Sequence, residues 1–268
     1  FALIPADEDG NPQGEDAYMT VPSDEEGRIS LNYIPAGSYI LNEVNANIEE
    51  GYVTAEDRLI EVKAVPELQE YVVKDDHTKV EFMKSDAETG EPVIGTQLSI
   101  IPIDKEGKTQ WDEVYSSWTT DELSHLEKYM PAGKYLLTEQ LGTQAFEDGY
   151  VTADSIVFTV EDTGELQTVE MKDDYTKVRV SKIDAVTGEP VSGALLKVID
   201  YKGDVMHAWK TTELGELIER LPIGEYTLIE EKAPDGYEKA KDIKFTIVDS
   251  GEIQEVVMED KPVVPTDE

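Results

Sequence analysis

Three features of this sequence predict an all-β chain of three tandem antiparallel β-sandwich modules. Val178–Gly193 (VRVSKIDAVTGEPVSG) repeats Val80–Gly95 (VEFMKSDAETGEPVIG) 98 residues further on, the mark of a domain array. Short runs rich in Val, Ile, Thr and Tyr alternate apolar with polar residues and stop at Gly, Pro and Asp, as half-buried strands do. No segment holds a convincing helical period. Asp121–Tyr129 comes nearest, but its counterpart Glu213–Leu221 reads as turn and strand, so loop and strand are expected in both.

Taken in order, the modules are expected at 1–77, 78–176 and 177–262, with 263–268 starting a proline-bearing spacer. In the first, FALIPADEDG aligns with Leu98–Gly107, LSIIPIDKEG, which places Phe1 about twenty residues past a module start by the repeat spacing. The opening strand of that module is therefore expected to be missing. Asp9-Gly10 then marks a hairpin and Ile34-Pro35-Ala36-Gly37 a turn. Strands are expected through Tyr39, Leu41 and Glu43, and through Tyr71, Val73 and Asp75. KDDHTK (Lys74–Lys79) and KDDYTK (Lys172–Lys177) join the modules without Gly, Ser or Pro, which predicts stiff head-to-tail junctions.

Composition narrows the function classes. With 23 Lys+Arg against 59 Asp+Glu, a net charge of −36 opposes binding to nucleic acid or an anionic membrane surface. No apolar run approaches membrane-spanning length, so direct membrane insertion is not expected. The absence of cysteine rules out disulfides and thiolate metal sites. His77, His125 and His207 fall at unrelated positions, so no metal or other cofactor is expected. The acidic hairpins at Asp7–Asn11, Asp104–Gly107 and Asp200–Asp204 lack the spacing and closing Glu of a calcium loop, and Asp-Gly turn chemistry explains them. No nucleophile elbow or phosphate loop is present. Trp118 and Trp209 correspond and read as sheet residues, whereas Trp111 has no counterpart and is a candidate exposed contact.

Strand parity supplies the chemistry. Val178, Val180 and Lys182 share one face of a strand, as do Val80, Phe82 and Lys84. Lysine is almost never fully buried without a partner. One such lysine is explained by snorkelling to the surface; two in one register point inward. The same test aligns Glu230 with Tyr226 and Leu228, and Asp260 with Val256 and Met258. Glu139 and Asp173 match them in the second module, Glu43 and Asp75 in the first. Burial pushes lysine toward the neutral amine and a carboxyl toward the neutral acid. Those forms can condense to an amide, with a second carboxyl moving protons. The alternative is a paired or neutralised ionic cluster without a covalent bond.

These residues carry a family resemblance. The lysine strand with its Thr-Gly turn, and Tyr226–Tyr237 (YTLIEEKAPDGY), resemble the opening strand and E-box of Cna B-type, SpaA-like domains of Gram-positive surface proteins and pilins. The resemblance implies a seven-stranded reverse-immunoglobulin sandwich and an autocatalytic isopeptide bond. By position, the bonds are Lys84 to Asp173 and Lys182 to Asp260, with Glu139 and Glu230 as proton relays. The first module keeps Glu43 and Asp75 but has no matching lysine, so its site is incomplete, either in a fragment or awaiting a donated strand. All three acceptor positions are Asp where the family often has Asn, so water would leave. The second module's LLTEQLGTQAFEDGY lacks Ala-Pro and is four residues longer from Glu to Tyr.

The expected function is a structural stalk or pilus-shaft segment on a Gram-positive cell surface or wall, with neighbouring modules or pilus subunits as partners. Its only chemistry is its own cross-linking; it is not expected to be an enzyme. The alternative is an adhesin segment whose loops bind host glycan or matrix protein. A third reading, an accessory β-region of an extracellular enzyme, needs a catalytic domain outside these residues.

Overall fold

A computed structural model of the chain describes residues 1–14, 17–44 and 46–263. The N-terminal part forms one antiparallel sheet, in which β1 (Ala2–Ala6) lies between β2 (Met19–Thr20) and β3 (Gly37–Asn42), with β5 (Arg58–Val62) outside β3. Between β3 and β5 in the chain, β4 (Tyr52–Val53) pairs instead with β6 (Asp76–His77). Leu3, Tyr39 and Ile60 are the buried centre of this small sheet.

The middle unit has two sheets. One orders β10 (His125–Lys128), β7 (Lys79–Asp86) and β13 (Leu166–Asp173). The other orders β12 (Ile156–Val160), β11 (Gly133–Gln140), β8 (Gln97–Ile103) and β9 (Ser116–Thr119). The C-terminal unit repeats this as β17 (Glu216–Glu219), β14 (Lys177–Asp184) and β20 (Ile253–Asp260), facing β16 (Val205–Lys210), β15 (Leu195–Asp200), β18 (Gly224–Lys232) and β19 (Ile243–Ile247). Period-two alternation puts one face of each strand inside: β14 buries every second residue, Val178, Val180, Lys182 and Asp184. The apolar cores centre on Phe82, Ile100, Leu137 and Met171, and on Val180, Leu196, Leu228 and Met258.

Three findings depart from the sequence expectations. β7 pairs with β13, and β14 with β20, in parallel, while the other strand pairs are antiparallel. A short helix, α1 (Thr143–Glu147), fills the longer loop of the middle unit and buries Ala145. The strand expected through Tyr71, Val73 and Asp75 does not form. In the other two units the last strand pairs only with the first, which lies at the centre of its sheet. Among the described residues of the N-terminal part nothing occupies that central place, so 71–75 has no template. Trp118 and Trp209 lie in β9 and β16 and pack on the cores, whereas Trp111 is exposed.

Both junctions are ordered by the same contacts. Thr78 and Thr176 are buried, and their hydroxyls donate to the carbonyls of Met130 (2.6 Å) and Leu221 (2.5 Å) in the unit that follows. Their N–H groups donate back to Gly51 (3.0 Å) and Gly149 (2.9 Å) in the preceding part. Lys79 and Lys177 each donate to the Asp three residues earlier and to the carbonyl of Gly164 or Gly251. The Thr and Lys of each linker are thus bonded on both sides of the junction, which explains why no flexible spacer is needed. Gly149 has φ of 76°, and a Cβ there would lie 2.5 Å from the Arg220 backbone. Gly149→Ala is therefore expected to cost at least about 1–2 kcal/mol from the left-handed backbone alone. Calorimetry should show a lowered unfolding transition; an unchanged one would contradict the close packing.

Candidate cross-linking site

In each complete unit one Lys, one Glu and one Asp meet inside the sandwich. Lys84 stands opposite Met171 in the β7–β13 ladder, and its acceptor Asp173 lies two residues further along β13. Lys182 stands opposite Met258, with Asp260 two further along β20. The lysine stem is long enough for this diagonal reach between same-face neighbours. Lys84 Nζ contacts Asp173 Oδ1 and lies 2.5 Å from Glu139 Oε2. Lys182 Nζ contacts Asp260 Oδ1 and lies 3.1 Å from Glu230 Oε1. The lysine side chains are 2% and 1% exposed and all four carboxylates 0%.

The glutamates come from β11 and β18 in the facing sheet and are aimed by a backbone amide. Ala153 N–H donates to Glu139 Oε1, and Ala240 N–H to Glu230 Oε2 at 2.6 Å. The remaining oxygens, Asp173 Oδ2 and Asp260 Oδ2, are buried without a hydrogen-bond partner among the described residues. Burial first, and then the adjoining Glu139 carboxyl, raise the Asp173 pKa to about 7 against the opposing pull of Lys84. Asp260 is raised for the same reasons, burial first. Each site thus holds an amine against a carboxyl that favours its neutral acid, with a second carboxyl in contact: the components of amide formation by loss of water.

The N-terminal part keeps one element of this arrangement. Glu43 is 8% exposed and accepts Ala55 N–H at 2.7 Å, as Glu139 and Glu230 accept theirs. Asp75 is exposed and outside any strand, and no hydrogen bond or ion pair joins it to Glu43 among the described residues. The structure brings together six of the eight site residues read from the sequence and leaves this pair apart. Parity did not single out Asp86 and Asp184, although both continue the inward face of Lys84 and Lys182. Among the described residues no group of His, Asp and Glu has metal-site geometry, and no helix is long and apolar enough to cross a membrane.

Fold and site together define a tandem prealbumin-like sandwich with a buried Lys–Glu–Asp triad in each complete unit. The chain belongs to the SpaA family of prealbumin-like fold domains, which matches residues 78–175 and 176–262. Among solved structures it is similar to the Bacillus anthracis TIE protein, with 26% identity over 89% of this chain and a TM-score of 0.43. It spans 44% of that protein's length. It is also similar to the shaft pilin SpaA from Lactobacillus rhamnosus GG, with 16% identity over 71% of this chain and 99% of that one, TM-score 0.32. A streptococcal ancillary pilin shares 20% identity over 86% of this chain and 77% of its own, TM-score 0.33. The comparison with curated proteins finds no match.

Removing one member of the triad exposes its electrostatics. Lys84→Ala leaves two buried carboxyls facing each other and is expected to destabilise the middle unit by about 3–5 kcal/mol. Loss of the lysine pushes Asp173 further above its ordinary value, since Lys84 opposes the rise. Between the unfolded value of 3.8 and that raised folded value the folded state binds more protons. The variant should therefore regain stability as pH falls from neutral toward 4. Thermal unfolding across that window checks this, and a flat or opposite slope would contradict it.

Proposed function

We infer that this chain is a segment of a structural stalk or pilus shaft on a Gram-positive cell surface, its units locked by Lys84–Asp173 and Lys182–Asp260 isopeptide bonds. The observation that supports this most is the water-excluded triad, present twice, joining the first strand of each complete unit to its last. Membership of the SpaA family and the pilins among its structural neighbours agree with the role. Neighbouring modules or subunits are its partners in this reading.

The bond forms in a single turnover on the protein's own side chains. The neutral lysine amine attacks Cγ of the protonated aspartic acid, forming the C–N bond. The glutamate takes a proton from the attacking nitrogen and delivers it to the departing hydroxyl, so that one amide and one water result. Intact mass under denaturing conditions tests this. The chain should lie two waters below its sequence mass, and Lys84→Ala and Lys182→Ala should each restore one beyond the change of residue. An unmodified mass would reduce both sites to buried ionic clusters.

A second reading, adhesion, draws on one feature of the middle unit. Trp111, Val114 and Tyr115 are exposed on the β8–β9 connection, and Trp111 has no counterpart in the C-terminal unit. Binding to a panel of host glycans and matrix proteins that is lost in Trp111→Ala would favour it.

A further inference from the structure

Tyr150 and Tyr237 close the loops that follow the two site glutamates, and each bonds to the strand that carries the site lysine and to the segment just past the acceptor strand. The Tyr150 hydroxyl donates to Asp86 Oδ2 at 2.8 Å, and the Tyr237 hydroxyl to Asp184 Oδ2 at 2.9 Å. Asp86 and Asp184 lie two residues beyond the site lysines on the same buried face, directly opposite the acceptors Asp173 and Asp260. Their other oxygens are taken by the turn that follows, Asp86 Oδ1 by Glu88 and Thr89 N–H and Asp184 Oδ1 by Val186 and Thr187 N–H. The backbones of the tyrosines bridge to Tyr175 and Pro262, just beyond the acceptors. Val151 N–H donates to the Asp174 carbonyl (3.0 Å) and Glu238 N–H to that of Lys261 (2.9 Å). Three residues after each tyrosine come Ala153 and Ala240, whose N–H groups aim the glutamates.

Each tyrosine thus ties together the lysine strand, the exit of the acceptor strand and the glutamate's loop. Resting on the cross-linking reading, we propose that Tyr150 and Tyr237 are positioning residues for the bond-forming step, holding Glu139 and Glu230 between amine and acceptor through Asp86 and Asp184. Charge supports the pairing. Burial raises both Tyr150 and Asp86, but the Thr89 N–H, the Arg220 guanidinium and the Tyr150 hydroxyl outweigh it at Asp86 and hold that carboxyl well below its ordinary value. Donor and acceptor keep their states across the neutral range. The middle site also receives a group from the next unit. Arg220 donates to Asp86 Oδ2 at 2.6 Å, with its guanidinium over the rings of Tyr150 and Tyr175. The C-terminal site has no equivalent cation among the described residues. Docking of the C-terminal unit therefore tightens the middle clamp.

The test uses the full chain made by cell-free synthesis and quenched into denaturant at successive times. After digestion, the Lys84–Asp173 and Lys182–Asp260 linked peptides are quantified, each site serving as the clock for the other. Tyr150→Phe removes one hydroxyl and should slow the middle bond roughly three- to tenfold, the worth of one hydrogen bond, with the C-terminal bond unchanged. Tyr237→Phe should do the reverse, and Arg220→Ala should slow the middle bond alone. Hydrogen exchange checks that each unit is folded. If Tyr150→Phe prevents folding of the middle unit, Tyr237→Phe and Arg220→Ala decide the matter. Folded variants that form both bonds at unchanged rates would overturn the positioning role while leaving the cross-link standing. Absence of both linked peptides from the wild-type chain would remove the cross-link itself, and this proposal with it.

Discussion

Two lysines, Lys84 and Lys182, are held inside sandwiches from which water is excluded, and an uncompensated buried ammonium costs several kcal/mol. That constraint fixes much of each complete unit. The first strand must lie at the centre of its sheet so that its inward face is covered. The last strand must run beside it with the Asp two residues past the lysine's opposite number. The facing sheet must then supply a carboxyl directed by a backbone N–H. Glu43 retains that last feature without a lysine, because its Ala55 contact is local to the β3–β5 loop. Asp75 does not take the corresponding place, because that depends on a central strand which the described residues of the N-terminal part do not supply.

Parallel pairing gives the triad its mechanical meaning. The chain enters the middle unit at Lys79, the start of β7, and leaves at Asp173, the end of β13. In a parallel pair these points lie at opposite ends of the ladder, so tension shears all of its hydrogen bonds together instead of opening them one by one. The proposed bond from Lys84 to Asp173 would add a covalent route past the intervening residues. The linkers continue that route, since Thr78, Lys79, Thr176 and Lys177 are fixed on both sides of their junctions.

The sequence made the fold class, the repeat and the six meeting site residues legible, because burial of alternate residues leaves a period-two trace even for charged side chains. It did not reveal strand direction: periodicity reports which face is buried and nothing about which way the neighbour runs. Tyr71–Asp75 has a sound strand pattern and no strand, since pairing needs a partner that pattern cannot supply. Asp86 and Asp184 were readable by the rule that found the lysines, but an Asp before a Thr-Gly turn is already explained as a turn residue. Arg220 left no such trace. Its counterpart is Tyr129, which shares its left-handed backbone but stacks on His77 instead.

Single-molecule extension of the chain tests most directly whether each complete unit is closed by a covalent bond between its terminal strands. The Lys and Asp that meet in the two sites lie 89 and 78 positions apart, so an unlinked unit would release roughly 25 to 30 nm on unfolding. The cross-linked chain should show no step of that length from either unit at forces that unfold ordinary β-sandwiches, while Lys84→Ala should gain one. Full-length steps from both units of the unaltered chain would contradict the covalent closure.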